Sequence, residues 1–289
     1  MKVARSPGEL EPAERAVAIG TFDGVHRGHA AVVAALRESG LRSTVVTFDP
    51  HPRLVLGYEV QLLSTFERRL ELLAELGPDE ILVVEFTLEL SRKEPEEFVA
   101  DVLGAVGTRV VVAGEDFRFG AGRRGDVGLL RSVGLDVRPV PLVEGVSSSR
   151  IRELVRAGDV PAAAGLLGRP LELEGLVVAG DSRGGTLGFP TANLQLDAHL
   201  LAPAYGIYAG GALGRRAAVS VGVNPHYGGS ERRIEAFLLD IEGDLYGERL
   251  RLELWERLRD ERAFASEEDL VAQIARDVEA TRAARRPGG

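Results

Sequence analysis

The chain has 289 residues, enough for two domains with separate hydrophobic cores, and it lacks cysteine, which excludes disulfides, thiolate zinc sites and a cysteine nucleophile. Its net charge is -9 and no basic stripe is present, so we expect no nucleic-acid partner. No apolar run approaches the roughly 20 residues that span a bilayer, and residues 1–15 lack a signal-peptide core, so we expect a cytoplasmic protein without a membrane partner.

Strand and helix patterns alternate from residue 16 to about residue 158. The predicted strands are Val17–Ile19, Ser43–Phe48, Glu80–Phe86, Arg109–Ala113 and Asp136–Val140. The predicted helices are Gly28–Ser39, Thr65–Leu76, Pro95–Val106, Asp126–Arg131, Ser148–Ala157 and Val160–Leu167. This alternation is typical of a parallel sheet with helices on both faces, a Rossmann-like α/β fold. We expect this first domain to cover residues 1–168.

The pattern changes at Leu166–Pro170, where the helix signals stop. The stretches LELEGLVVAG, YGIYAGGA, RRAAVSVGV, RIEAFLLDIEG and ERLRLELWERL then read as short strands separated by glycine-rich turns. They predict a small antiparallel β-barrel over residues 169–289. An amphipathic helix is predicted to begin at Ser266 and to bury Leu270, Ile274 and Val278 on one face.

Two of the five histidines, His26 and His29, lie where the first predicted strand gives way to a helix. Ligands of open α/β sheets bind at this edge, and the amides and dipole of a helix N-terminus favour phosphate. Gly28 lets a phosphate approach the backbone, and two imidazoles can donate hydrogen bonds to an α-phosphate. The motif therefore suits nucleotidyl transfer. A purely structural role for both histidines, as turn and cap residues, stays open, whereas no nearby ligand set favours a metal.

Three further loops follow later strands of the predicted sheet. FDPHP (Phe48–Pro52) places prolines around a histidine, and Gly114–Asp126 mixes aromatic, arginine and glycine residues, as a site for a planar ligand would. VSSSRIR (Val146–Arg152) places hydroxyls and an arginine at a helix start. Each loop alone reads as ordinary surface, but four such loops at one sheet edge indicate a binding site.

In this order, GTFDGVHRGH, FDPHP, GEDFRFG and VSSSRIR resemble the adenylyltransferase domain of the prokaryotic bifunctional riboflavin kinase/FMN adenylyltransferase (FAD synthetase) family, an HxGH nucleotidyltransferase. The resemblance implies adenylylation of FMN by ATP, with pyrophosphate release. It implies transition-state stabilisation by His26 and His29. The implied ligand-binding residues are Gly20, Phe22, Asp23, Asp116, Phe117 and Phe119, with Ser147, Ser148 and Arg150 on the ATP phosphates. Thr21 and Ser149 stand where relatives often have other small polar residues.

The stretch GDSRGGTLGFPTANL, from residue 180 to residue 194, combines a glycine loop with a stiff proline turn. Thr191 and Asn193 alternate on an extended backbone, so their side-chain oxygens can face one point. A hydroxyl and an amide carbonyl suit Mg²⁺, which also retains water and phosphate oxygens. Glu235, in the later strand RRIEAFLLD, faces either solvent at an edge or an enclosed site.

GFPTANL, YGIYAG, SVGVNP, EAFLLD, GDLYGERL and RLRDERAF resemble the riboflavin kinase domain of the same family. The resemblance implies that Thr191 and Asn193 bind Mg²⁺ and an ATP phosphate, that Gly180 contributes to the nucleotide site, and that Glu235 activates the 5′-hydroxyl of riboflavin. Two motifs depart from the family. Gly184-Gly185 replaces Gly-Arg, with an arginine moved to Arg183, and His226 replaces threonine after Asn-Pro. Loss of that arginine would weaken ATP binding unless Arg183 reaches the same place.

The leading hypothesis is a bifunctional, Mg²⁺-dependent enzyme of FAD biosynthesis that converts riboflavin to FMN and FMN to FAD. A narrower hypothesis is an FMN adenylyltransferase with an inactive kinase barrel. A third is a non-catalytic flavin-binding or flavin-sensing protein. The expected partners are flavin and ATP, and self-association is compatible with the sequence.

Overall fold

The structure is a computed structural model that describes residues 1–179, 189–223, 232–241 and 245–288. Its contacts divide the chain into two compact units. The first combines Met1–Val60 with Phe66–Val146, and the second combines Gln61–Thr65 with Ser147–Gly289. Within the described ranges, no helix combines the length and the apolar character that crossing a membrane requires.

The first unit contains a six-stranded sheet in the order β1-β4-β3-β2-β5-β6, and every neighbouring pair is parallel. The strands are β1 (Lys2–Ala4), β2 (Arg15–Ile19), β3 (Arg42–Asp49), β4 (Glu80–Glu85), β5 (Thr108–Gly114) and β6 (Asp136–Val140). The predicted parallel sheet is confirmed, and each predicted strand is present. The short edge strand β1 was not predicted from the sequence.

Helices connect the strands of this sheet. They are α1 (Arg27–Arg37), α2 (Pro52–Val55), α3 (Phe66–Glu75), α4 (Leu88–Arg92), α5 (Pro95–Phe98) and α6 (Val127–Ser132). The segment predicted as one helix over Pro95–Val106 is α5 followed by a π-helical turn, Val99–Gly104. The short helices α2 and α4 were not predicted.

Apolar side chains cover both faces of the sheet. On β3, Val45 and Val46 point to opposite faces and belong to different core clusters, as do Val17 and Ala18 on β2. Successive residues of a strand alternate between faces, so burial on both sides requires the continuous β-branched runs in this sequence. The helices on the two faces thereby hold the carboxyl ends of the strands in fixed positions.

A buried ion pair ties the strands together at their amino ends. Arg15 is 1% exposed and its Nε–H donates to Glu80 at 2.8 Å. Burial alone would raise the pKa of Glu80, but hydrogen bonds from Arg15 and Thr44 outweigh it and leave the pKa below its ordinary value. The buried charges of Arg15 and Glu80 are therefore already paired with each other within the fold.

The second unit contains a closed barrel in the order β10-β11-β8-β7-β12-β9, with antiparallel neighbours. Its strands are β7 (Leu171–Val178), β8 (Ala192–Leu196), β9 (Gly206–Ala212), β10 (Arg215–Val223), β11 (Arg232–Leu238) and β12 (Arg249–Arg259). Its helices are α7 (Ser148–Ala157), α8 (Val160–Leu167) and α9 (Glu267–Ala283). The predicted antiparallel barrel with a C-terminal helix is confirmed.

Helices α7 and α8 share the hydrophobic core of the barrel. Ile151, Val155 and Val160 are fully buried in one cluster with the barrel residues Leu173 and Leu252. The second compact unit therefore includes α7 and α8, and its boundary lies before α7. The sequence pattern instead predicts the domain boundary between residues 168 and 169. The functional boundary at that position stays a prediction.

The buried face of α9 is polar, which differs from the apolar face predicted from the sequence. Gln273, Asp277 and Thr281 are its buried residues, while the predicted core residues Leu270, Ile274 and Val278 are only partly buried. The reason is the surface on which α9 packs. Arg259 of β12 donates to both carboxylate oxygens of Asp277, with the shortest bond at 2.7 Å, and Arg216 of β10 donates to carbonyl oxygens at the end of the helix.

Candidate active sites

The loop between β2 and α1 has an unusual backbone. Phe22 and Val25 both adopt positive φ angles, 51° and 38°. This conformation is strained for non-glycine residues, at a cost on the order of 1–3 kcal/mol each, and a β-branched residue adopts it least readily. Such strain persists only where the surroundings hold the loop in place.

Arg69, on α3, holds this loop from beneath. Arg69 is 4% exposed, and its guanidinium donates to the carbonyl oxygens of Thr21 and Phe48, each at 2.9 Å. Burial lowers the pKa of Arg69, and the nearby carboxylates of Asp23 and Asp49 act in the opposite direction. Arg69 thereby links the loop after β2 to the loop after β3. The sequence analysis did not identify this residue.

His26 and His29 cap helix α1 reciprocally. The His29 N–H donates to Nδ1 of His26, and the His26 N–H donates to Nδ1 of His29, each at 3.3 Å. The two rings stack with centroids 3.6 Å apart and planes inclined by 16°. Gly28 leaves room for this arrangement, because a Cβ there would lie 3.1 Å from the His26 ring, closer than an ordinary van der Waals contact. The histidines are therefore cap residues, one of the two interpretations that the sequence left open.

The cap also fixes which nitrogens can donate. Because each Nδ1 accepts a backbone N–H, each neutral ring carries its proton on Nε2. Burial lowers the pKa of His29 well below its ordinary value, and the adjacent His26 lowers it further. His29 is therefore neutral at pH 7 and donates through Nε2–H. The two histidines can therefore cap the helix through Nδ1 and also donate hydrogen bonds through Nε2.

Two neighbouring strands contribute the adjacent loops. β3 and β5 flank β2 in the sheet, so FDPHP and GEDFRFG follow strands on either side of the histidine loop. His51 is buried, and its Nδ1 accepts the Arg53 N–H to cap α2.

The three site residues predicted in the loop after β5 differ in exposure. Asp116 is exposed and Phe117 is partly buried, with its ring stacked on Phe119 at 5.6 Å. Phe119 itself is buried in the core beside Phe98, and its backbone pairs with Gly125. Phe119 therefore supports Phe117 from the core side, which leaves Asp116 and Phe117 as the accessible members of this group.

Ser147, Ser148 and Arg150 belong to the second unit, at the start of α7. The Ser147 hydroxyl accepts the Arg150 N–H at 3.1 Å and caps the helix. The Arg150 guanidinium is exposed and donates to Glu153 at 2.9 Å. These residues therefore form a solvent-accessible helix N-terminus with an adjacent cation.

In the barrel, the structure brings Asn193 and Glu235 side by side. They face each other across the antiparallel β8–β11 ladder, so their side chains point to the same face. Ser220 of β10 flanks Glu235 on its other side. The alternate residues of β11, Ile234 and Ala236, fill the barrel core, so this polar face is the outer one. Glu235 keeps 28% of its side chain exposed and is not at a solvated edge.

Arg233 completes this polar group and was not identified from the sequence. Its Nε–H donates to Oδ1 of Asn193 at 3.1 Å, and the same nitrogen forms an ion pair with Glu235. Thr191 directly precedes β8 and lies two residues from Asn193 in the chain. Phe189 packs edge-on against Phe237 with ring centroids 5.4 Å apart, which joins this segment to β11.

The remaining predicted features of the barrel lie outside the described residues. These are Gly180, Arg183, Gly184-Gly185 and His226. Among the described residues no group of three or more histidines and carboxylates could hold a metal ion. The hydroxyl of Thr191 and the amide oxygen of Asn193 fit a hard cation that takes its other ligands from phosphate and water.

Comparison with known proteins relates both halves of the chain to one family. The family model described as FAD synthetase matches residues 9–150, and the one described as riboflavin kinase matches residues 167–285. The bifunctional riboflavin kinase/FMN adenylyltransferase of Escherichia coli K12 is 35% identical and covers 96% of each chain. The enzyme of the same description from Bacillus subtilis is 33% identical, covering 92% of this chain and 91% of the relative.

A solved structure has a similar fold. It is the crystal structure of a Streptococcus pneumoniae protein described as a macrolide-efflux protein, with a TM-score of 0.87 and 32% identity over 97% of this chain and 98% of that one. That description concerns the relative alone. The two family matches and the full-length similarity show that the chain belongs to the bifunctional riboflavin kinase/FMN adenylyltransferase family.

Proposed function

We propose that the chain makes FAD from riboflavin in two ATP-dependent steps at separate sites. Residues 169–289 would phosphorylate riboflavin to FMN, and residues 1–168 would adenylylate FMN to FAD. The observation that best supports the proposal is the reciprocal His26–His29 cap. It presents the neutral Nε2–H donor of His29 beside the His26 ring at a helix N-terminus, where a nucleotide phosphate binds favourably.

For adenylyl transfer, a phosphate oxygen of FMN attacks the α-phosphorus of ATP, and pyrophosphate leaves. No side chain needs to accept a proton, so the protein's task is to orient the reactants and stabilise negative charge. The Nε2–H groups of His26 and His29 would donate to the α-phosphate oxygens as that charge develops. Further ligand contacts are proposed for Gly20, Phe22, Asp23, Asp116 and Phe117, with Phe119 as a support. Ser147, Ser148 and Arg150 would bind ATP phosphate oxygens.

For phosphoryl transfer, the 5′-hydroxyl of riboflavin attacks the γ-phosphorus of ATP, and ADP leaves. Glu235 would accept the hydroxyl proton, a role that suits a carboxylate held in a half-buried polar group. Thr191 and Asn193 would hold Mg²⁺, which when bound neutralises charge on the phosphate oxygens. In the structure the Asn193 Oδ1 accepts a hydrogen bond from Arg233, which places this oxygen in the polar group that contains Glu235. Gly180 is proposed to contribute to the same nucleotide site.

The test is a product assay with purified protein. We expect riboflavin, ATP and MgCl₂ to yield FMN and then FAD, separated by chromatography, and FMN with ATP to yield FAD and pyrophosphate. FAD from FMN without FMN from riboflavin would identify an adenylyltransferase with an inactive barrel. Flavin binding without ATP consumption would identify a flavin-binding protein. If neither FMN nor FAD forms and no flavin binds, the proposal is wrong.

A further inference from the structure

Arg233 places a permanent positive charge within the polar group of the barrel. Its Nε–H contacts both the Asn193 amide oxygen and the Glu235 carboxylate, although Arg233 and Glu235 lie on β11 and Asn193 lies on β8. Arg233 and Glu235 keep only 24% and 28% of their side chains exposed. Partial burial strengthens the ion pair relative to one in water.

The oxygen that Arg233 contacts is the one assigned to Mg²⁺. The side-chain oxygen of Asn193 has two lone pairs, but a guanidinium and a divalent cation bound to the same oxygen would lie close enough to repel each other. Coordination of a cation by this oxygen therefore competes with the hydrogen bond from Arg233. The Glu235 carboxylate has two oxygens and a full negative charge, so Arg233 can release Asn193 and still keep an anionic partner.

Building on the kinase function proposed above, we propose that Arg233 is a positioning residue that exchanges with Mg²⁺ at Asn193. It holds Asn193 and Glu235 together, and it shifts to Glu235 alone when a metal–nucleotide complex takes Asn193 Oδ1. Two consequences follow. Arg233 raises the Mg²⁺ concentration that phosphorylation requires, and it keeps the Glu235 carboxylate oriented during the reaction.

Nuclear magnetic resonance can follow this exchange without any turnover. The arginine Nε–H signals of the full-length ¹⁵N-labelled chain would be recorded with ADP and EDTA, and then with ADP and MgCl₂. R233K and R251K each remove one signal and so assign it. Arg251 is the matched internal control, because its Nε–H pairs with Glu174 at 2.8 Å on another part of the barrel. We expect the Arg233 signal to shift when Mg²⁺ and ADP are both present, while the Arg251 signal stays in place.

Variant kinetics supply an independent readout. R233Q should lower the half-saturating Mg²⁺ concentration for riboflavin phosphorylation by about tenfold, the effect of losing one charge-assisted competitor, and should also lower kcat. R233K retains the charge and should fall between R233Q and the wild type, whereas R251Q should match the wild type. A merely structural role of Arg233 would lower the rate without moving the Mg²⁺ dependence.

The outcomes separate this proposal from the kinase assignment. If the wild type phosphorylates riboflavin but the Arg233 signal is unmoved by Mg²⁺ and ADP, the exchange at Asn193 is refuted. If the signal moves but no FMN forms, the cation site stands and the kinase function falls. Should R233Q fail to fold, the wild-type spectra and R233K decide the matter.

Discussion

Replacing His29 tests whether one histidine both caps α1 and stabilises charge. Its two nitrogens have different tasks, because Nδ1 accepts the His26 N–H and Nε2 carries the donor proposed for the α-phosphate. His29→Ala removes both functions. His29→Asn retains an acceptor near the position of Nδ1 but has no donor at the reach of Nε2. Comparing the two variants therefore separates the cap from the donor.

The expected magnitudes differ for the two functions. Loss of one transition-state donor costs about 10²- to 10³-fold in rate, or roughly 3–4 kcal/mol. Loss of the His29 half of the capping box costs up to about 1 kcal/mol of folding stability. Both variants should therefore show the large fall in FAD formation from FMN, and only His29→Ala should show the loss of stability. Neither should alter phosphorylation of riboflavin.

The assay is the initial rate of FAD formation with FMN, ATP and MgCl₂ at saturation, with urea unfolding followed by circular dichroism. An exposed histidine in the second unit, His199, provides the control, and His199→Asn should match the wild type in both measurements. A His29→Asn enzyme within a few-fold of the wild-type rate would refute the donor role. A rate loss that simply followed the loss of stability would do the same.

Three further predictions concern pH, the barrel base and the C-terminal helix. Because the folded pKa of His29 is lowered, the unfolded chain binds the extra proton below about pH 6.5, and the wild type loses stability on acidification by up to about 1.4 kcal/mol per pH unit, whereas His29→Asn has no such group to protonate. The unfolding free energies of the two proteins should therefore be about equal at pH 7.5 and should diverge towards pH 5.5, with the wild type the less stable, and a constant difference would contradict this. Glu235→Gln should lower riboflavin phosphorylation by about 10²-fold or more while FMN adenylylation is unchanged, and equal loss of both activities would contradict separate sites. Asp277→Asn leaves Arg259 without its carboxylate partner and should lower the free energy of unfolding by about 2–3 kcal/mol. Urea unfolding, followed by the fluorescence of the single tryptophan in the barrel, measures this loss. The control Glu279→Gln, on the same helix, should change the free energy of unfolding by less than about 0.5 kcal/mol.

The sheet and the barrel could be predicted because their signals are local. Buried β-branched runs such as Ser43–Phe48 form strands in any context that covers both faces. The strand Lys2–Ala4 could not be predicted, since three residues form no pattern and pair only because the β4 edge offers backbone partners. The buried face of α9 was predicted wrongly because amphipathicity says which residues are apolar and not what the helix packs against. Arg259 and Arg216 make the polar face the buried one.

The two candidate sites also differ in how far they could be predicted from the sequence. His26 and His29 are three residues apart, and a helix N-terminus brings such residues together whatever the rest of the chain does. The sequence therefore revealed the pair, although the direction of each Nδ1 needed coordinates. Arg233 and Asn193 are 40 residues apart and meet only through the β8–β11 register. In the sequence, RRIEAF reads as an ordinary charged strand, because a one-residue shift in register would turn Arg233 to the other face. The contact of Arg233 with Asn193 can be recognised only once that register is known. The proposed effect of Arg233 on the Mg²⁺ dependence must therefore be measured, because the sequence motif around Asn193 does not reveal it.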